Sequence, residues 1–268
     1  MNAFSSFPQT LLDEKRETII EAIHLSKAYE TGSIAVQALK DITLRVVQGE
    51  VVAIMGPSGC GKTTLLNCLS GLDSISSGLV RIAGQDLRSL SDREITAFRA
   101  REMGFIFQSY NLLPVLSGLE NVELPLLVSG VTPKEARARA RLSIEQVGLS
   151  KWVRHRPAEM SGGQRQRFAI ARALATAPSI VWADEPTGAL DSATSQEIID
   201  LMLTLNQRHR LTFVWVTHAP EVAQQAQRLI TMRDGSIERD QLVVAQQPSP
   251  DPSQPLICPP FAPERWER

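Results

Sequence analysis

Eight consecutive residues, Gly56-Pro57-Ser58-Gly59-Cys60-Gly61-Lys62-Thr63, constrain this 268-residue chain more than any other stretch. They follow the apolar run EVVAIM (50–55) and open KTTLLNCLSGL, so a buried strand turns through glycines into a helix. Glycine lets the backbone curl until successive N–H groups converge on one anion. The helix that follows adds its positive N-terminal end. Every fixed position of G-x-x-x-x-G-K-[ST] is filled, which places Lys62 to reach β- and γ-phosphates and the Thr63 hydroxyl to ligate Mg²⁺. Cys60 occupies a variable position, where a small residue is tolerated.

Further apolar runs, SIVWAD (179–184) and LTFVWVTH (211–218), have the composition of strands buried in a parallel sheet. Helix-forming segments alternate with them, which predicts an α/β fold with a parallel-sheet core covered on both faces; together with the phosphate loop this resembles the P-loop NTPase (RecA-like) core. The early stretch IIEAIHLSKAYETGSIAVQALKDITLRVV has strands and turns without a crossover helix, which predicts an antiparallel β subdomain. Residues from about 109 to 160 predict an inserted α-helical subdomain. Within it Thr132-Pro133-Lys134-Glu135 combines a capping-box pattern with proline at the first helical position, and Ser91-Asp92-Arg93-Glu94 offers a similar start upstream. Asp234-Gly235, between two β-prone stretches, signals a hairpin.

The ends differ from the middle. Residues 1–17 read as a polar N-terminal extension and 18–240 as the folded domain. Residues 241–268 read as a proline-rich, disordered or polyproline-like tail, with seven of the sixteen prolines between Pro248 and Pro263 and apolar handles at Phe261 and Trp266. The formal net charge of −1 argues against a general affinity for nucleic acid or anionic lipid. No stretch approaches the ~20 apolar residues needed to span a bilayer, and the first residues lack the pattern of a secretory signal. The expectation is a cytoplasmic protein, peripheral on the inner face of the membrane, touching the membrane only through a partner. Cys60, Cys68 and Cys258 show neither metal spacing nor a disulfide framework.

Ile180-Val181-Trp182-Ala183 ends in two carboxylates, Asp184 and Glu185. Acidic groups at the mouth of a buried strand need a compensating partner; Mg²⁺ with ATP on the neighbouring loop supplies one. Asp184 is then the Mg²⁺ holder and Glu185 the group that polarises the attacking water. His218 ends the next strand, placed to contact the γ-phosphate, and Gln108 ends GFIFQ, placed to reach Mg²⁺ or the attacking water. A second anion-binding helix start is written as Ser161-Gly162-Gly163-Gln164 ahead of RQRFAIARALATA. One chain that binds one triphosphate has no use for two such sites, so the second fits nucleotide held by another copy.

In this order, the phosphate loop, Gln108, SGGQ, the Asp184-Glu185 pair, Asp191 in GALD and His218 resemble the ABC ATPases over residues 18 to 240. The resemblance implies an ATPase with ATP and Mg²⁺ as ligands. Tyr29 would stack on adenine, and Gly56 through Gly61 with Lys62, Thr63 and Thr64 would cradle the phosphates. Thr63, Gln108 and Asp184 would serve the metal. Ser161, Gly162, Gly163 and Gln164 would bind ATP of the opposite subunit, and Asp191 would connect the two sites across a homodimer or pseudo-dimer. Met160 stands where leucine is usual before SGGQ, a volume-conserving change. GFIFQSYNLLPVLSGLENVELPL and ADEPTGALDSATSQEI resemble the branch of macrolide-export, lipoprotein-release and antimicrobial-peptide resistance ATPases (MacB/LolD-type), which drive a separate transmembrane permease. The chemical motifs are shared with the ATPases of solute importers and with soluble non-transport ABC proteins. A non-hydrolysing subunit is disfavoured by the presence of Lys62, Asp184, Glu185 and His218.

Overall fold

The computed structural model describes residues 17–31 and 34–243. Its strands, in chain order, are β1 (Thr18–Thr31), β2 (Ile34–Val47), β3 (Val51–Met55), β4 (Ser77–Ile82), β5 (Gln85–Asp86), β6 (Met103–Phe107), β7 (Ile180–Asp184), β8 (Thr212–Thr217), β9 (Arg228–Arg233) and β10 (Ser236–Leu242). The helices are α1 (Lys62–Leu69), α2 (Asp92–Glu102), α3 (Gly118–Val128), α4 (Pro133–Gln146), α5 (Gly162–Leu174), α6 (Ser192–His209) and the single turn α7 (Pro220–Ala223). Two sheets form. One is antiparallel, in the order β2-β1-β4-β5; the other has the order β10-β9-β3-β8-β7-β6 and is parallel except for β10 at its edge.

The central strands are apolar throughout because both faces are covered. Val51 and Ala53, Val181 and Ala183, and Phe213 and Trp215 point into one core with the helices α3 to α6. Their neighbours Val52 and Ile54, Ile180 and Trp182, and Val214 and Val216 point into a second core, shared with α1 and the antiparallel sheet. The two-residue period of a strand thus feeds two cores from one sheet. The hairpin expected at Asp234-Gly235 joins β9 to β10, with both turn residues at positive φ (48° and 82°), as a type I′ turn requires.

Helix starts follow their capping chemistry. Ser91 with Glu94, Ser117 with Glu120 and Ser161 with Gln164 each form a reciprocal capping box at α2, α3 and α5. The box expected at Thr132 does not form. Thr132 is the N-cap of α4 and Pro133 takes the first helical position, but the threonine makes no side-chain cap hydrogen bond. Glu135 turns instead along the helix to an ion pair with Arg139. Strand β10 runs to Leu242, two residues past the boundary at 240 expected from composition. The N-terminal extension up to residue 16 and the proline-rich tail from residue 244 lie outside the described residues. Among the described residues no helix is long and apolar enough to cross a membrane.

Candidate active site

The parallel register brings four strand ends to one edge. Met55 pairs with Thr217, Val216 with Asp184, and Asp184 with Phe107. The residues just past those ends are Gly56, His218, Glu185 and Gln108, at the carboxyl edge where open α/β sheets bind ligands.

Gly61 caps α1 in a left-handed conformation (φ 102°), and a Cβ there would stand 2.7 Å from the Ala38 carbonyl oxygen, so only glycine fits the turn. Lys62 is buried, and its ammonium donates to the carbonyls of Gly56 (2.7 Å) and Pro57 (3.0 Å). An ammonium carries three N–H donors, so one remains for an anion lying over the loop. A cleft of about 560 Å³ opens there, bounded by Gln37, Ala38, Lys40, Lys62, Thr63 and Gly235. The last of these belongs to the β9–β10 turn, whose Gly235 N–H donates to the Cys60 carbonyl (3.1 Å) and whose Gly235 carbonyl accepts from Lys40 N–H (2.8 Å). The hairpin was legible in sequence; its bracing of the phosphate loop was not, since 175 residues separate Cys60 from Gly235.

The Thr63 hydroxyl stands 3.4 Å from each oxygen of the Asp184 carboxylate. That is long for an O–H···O bond, and the two side chains offer oxygen ligands only. Among the described residues no cluster of three or more His, Cys, Asp or Glu is poised for a metal. Two protein oxygens suit Mg²⁺, which binds through one or two side chains plus substrate phosphates. Burial, then the neighbouring Glu185 charge, pushes the Asp184 carboxyl above its ordinary range, with Thr63 and Lys62 opposing. Extra positive charge at this point would relieve that strain.

Glu185 follows Asp184 at φ 49°, a left-handed backbone unusual for a side chain of this size, held by its N–H donating to the Val216 carbonyl (2.9 Å). One carboxylate oxygen lies 2.7 Å from His218 Nδ1, and the other accepts from the Thr217 hydroxyl at 3.2 Å. Motif reading singled out His218 but missed Thr217 and the direct His218–Glu185 contact. The Glu185 side chain is only 16% exposed whereas that of His218 is 64% exposed, so the histidine is the open end of the pair. Gln108 is exposed just past β6, with its amide against Gly188. Tyr29, on β1, is partly exposed, and its phenol donates to Asp73 (2.6 Å).

Ser161, Gly162, Gly163 and Gln164 are not among the residues lining the phosphate-loop cleft. Ser161 Oγ accepts from Gln164 N–H (3.2 Å), and Gln164 Oε1 accepts from Ser161 N–H (2.9 Å), so the Gln164 side chain is engaged in the cap. This helix start abuts the start of α6. A Cβ on Gly163 would stand 2.7 Å from Thr194 Cγ2, and one on Gly162 3.1 Å from Leu190 Cδ2. Asp191 lies between them as the N-cap of α6, accepting from the Thr194 N–H (2.9 Å) and hydroxyl (2.7 Å). These bonds hold its carboxyl below the ordinary range. The structure thus brings SGGQ and Asp191 onto one surface.

A strand, a phosphate loop and paired carboxylates at the end of β7, one strand removed across β8, define a P-loop nucleotide hydrolase. The match is more specific than that: the chain belongs to the ABC transporter family, which it matches over residues 39–188. It is 44% identical over 221 residues to the lipoprotein-releasing system ATP-binding protein LolD of Alcanivorax borkumensis, covering 82% of this chain and 97% of that protein. It is 46% identical over 222 residues to the macrolide export ATP-binding/permease protein MacB of Marinobacter nauticus, covering 83% of this chain. There the chain spans about a third of the relative's length (34%). The ATP-binding cassette MJ0796, solved as a dimer in a post-hydrolysis state bound to ADP and Pi, superposes with a TM-score of 0.78 at 41% identity, covering 85% of this chain and all of that one. The chain is an ATPase of the MacB/LolD-type branch.

Proposed function

We propose that this ATPase closes as a homodimer around two ATP molecules and drives a separate membrane permease in export, lipoprotein release or mechanotransmission. The observation that carries the reading is that one chain holds two glycine-rich helix starts, α1 and α5, which do not share a cleft. Two chains facing each other then complete two sites. In each site Gly56, Pro57, Ser58, Gly59, Cys60, Gly61, Lys62, Thr63 and Thr64 hold the phosphates of one chain's ATP, and Tyr29 faces the adenine. Ser161, Gly162 and Gly163 of the opposite chain cover the γ-phosphate, with Gln164 fixing the cap and Asp191 at the junction. Thr63, Asp184 and Gln108 hold Mg²⁺, which neutralises phosphate charge when bound. Glu185 accepts a proton from the attacking water, and His218, hydrogen-bonded to it, orients that carboxylate toward the γ-phosphate.

The permease would meet the groove of about 350 Å³ between α2, β6, α3 and α5, which Phe105, Phe107, Pro125 and Arg172 line. The exposed apolar residues Leu113 and Val115 lie in the loop between β6 and α3. A cytoplasmic helix of the partner would fit such a groove, and the chain would then sit at the inner face of the membrane. ATP binds the closed dimer better than the open one, and that difference is what can bias the permease.

Glu185→Gln should bind ATP and dimerise while turnover falls by about 10²- to 10⁴-fold; wild-type turnover would remove Glu185 from its role. The same variant, tagged and locked with ATP, should retain from native membranes a permease with few transmembrane helices and a large external domain. A compact multi-helix channel with a solute-binding protein would instead identify an importer.

A further inference from the structure

Tyr29 is the residue through which this chain would contact the base of the nucleotide, yet an aromatic ring on an exposed sheet has no fixed orientation of its own. Here it has one. The phenol hydrogen bonds to Asp73 Oδ2 at 2.6 Å, and the Lys27 ammonium sits 4.7 Å from the ring centroid. Lys27 is itself buried, with 8% of its side chain exposed, and it donates to Asp73 Oδ1 (2.7 Å) and to the Ser74 carbonyl (2.6 Å). Lysine, aspartate and tyrosine therefore form a closed triangle spanning 46 residues of sequence. Asp73 lies just beyond α1, the helix that begins in the phosphate loop.

From this geometry we infer that Asp73 and Lys27 are positioning residues that hold the Tyr29 ring in place for the base, and so set how much the base adds to nucleotide affinity. The ring is fixed at its edge by the carboxylate and over a face by the ammonium, a cation–π contact strengthened by the burial of Lys27. A side chain already ordered in the free protein does not lose that freedom on binding. Burial opposes the Asp73 charge, but the hydrogen bonds from Lys27 and Tyr29 outweigh it and keep the carboxyl below its ordinary range. The bond to Asp73, helped by burial, holds the phenol proton more tightly than usual, and a phenol is protonated at neutral pH in any case. Because Asp73 terminates the segment leading from α1, the triangle also ties the base platform to the phosphate loop.

This inference rests on Tyr29 meeting the base, and the test separates the two. Full-length wild type, Tyr29→Ala, Tyr29→Phe, Asp73→Ala and Asp73→Asn are titrated by calorimetry with ADP and, separately, with pyrophosphate, which has no base. Tyr29→Phe keeps the ring, loses the tether and leaves the Lys27–Asp73 pair intact, so it covers the case in which Asp73→Ala fails to fold. The expected result is ADP affinity weakened about 3- to 10-fold in Tyr29→Phe and Asp73→Ala, the scale of one ordered side chain. Pyrophosphate affinity should be unchanged, and Asp73→Asn, which keeps an acceptor, should recover part of the loss. If Tyr29→Ala weakens ADP while Tyr29→Phe and Asp73→Ala bind as wild type, the positioning role is wrong and base contact stands. If Tyr29→Ala binds ADP as wild type, base contact itself is wrong and the inference falls with it. Equal losses for ADP and pyrophosphate in Asp73→Ala would make Asp73 a support of the phosphate loop and overturn the inference.

Discussion

Asp184 and Glu185 are adjacent in sequence yet meet different surroundings. Glu185 is bent out of the strand into left-handed backbone and engaged through both oxygens, by His218 and by Thr217. Asp184 stands 3.4 Å from the Thr63 hydroxyl and carries the cost of burial and then of the neighbouring Glu185 carboxylate, its proton held more firmly in the folded protein than in an unfolded chain. That penalty is absent in acid and grows as pH rises from the ordinary carboxylate range through the raised pKa, so it is fully present at neutral pH. Asp184→Asn should therefore raise the melting temperature of the nucleotide-free protein at neutral pH by about 1 to 4 °C, with the gain vanishing in acid, while ATP hydrolysis collapses. Scanning calorimetry at two pH values checks this; a lower melting temperature would mean that Thr63 and Lys62 outweigh burial and repulsion together. Lys62, Thr63, Asp184 and Glu185 were legible because each sits in a contiguous motif. Thr217, Lys40 and Asp73 were not, because no local pattern marks a residue whose partner is reached only through the fold.

The helices show how much a four-residue pattern can specify. At three helix N-caps, Ser91, Ser117 and Thr132, the sequence has Ser/Thr-x-x-Glu, and the boxes close at the first two only. The third opens because Glu135 has a competing partner one turn along, in Arg139. Ser117→Ala should accordingly cost about 1 kcal/mol, measured by urea denaturation, and Thr132→Ala distinctly less. Equal costs would mean that the caps do not differ in solution. The Ser117 hydroxyl, then its N–H, hold the Glu120 carboxyl below its ordinary range, so that part of the α3 cap is present at neutral pH and is lost as pH falls through the lowered pKa. Helix α5 was read correctly as starting at the serine of SGGQ. Its contact with the α6 start was not anticipated, because it depends on small glycine surfaces meeting Leu190 and Thr194.

At the scale of the whole molecule, the two sheets are pinned together by Arg228 at the start of β9. Its buried guanidinium makes two 2.6 Å bonds to Asp240 of β10, one of 3.3 Å to Glu50 and one of 2.8 Å to the Arg45 carbonyl of β2. Replacing it by methionine would leave Glu50 and Asp240 without their cation, and should destabilise the protein by about 3–5 kcal/mol. A loss under about 1 kcal/mol in urea denaturation would show that water already screens the pair. What the sequence determined by itself was whatever depends on neighbours within about a dozen residues. The phosphate loop, the Asp234-Gly235 turn, the helix starts and the apolar runs of the parallel sheet follow from backbone sterics, hydrogen-bond capping and side-chain period. Only the tertiary structure decided the strand order β10-β9-β3-β8-β7-β6, the bracing of Cys60 by Gly235 and the Lys27–Asp73–Tyr29 triangle. Those contacts join segments tens to hundreds of residues apart, and they form because two hydrophobic cores must be filled at once, a global packing condition that no local propensity encodes.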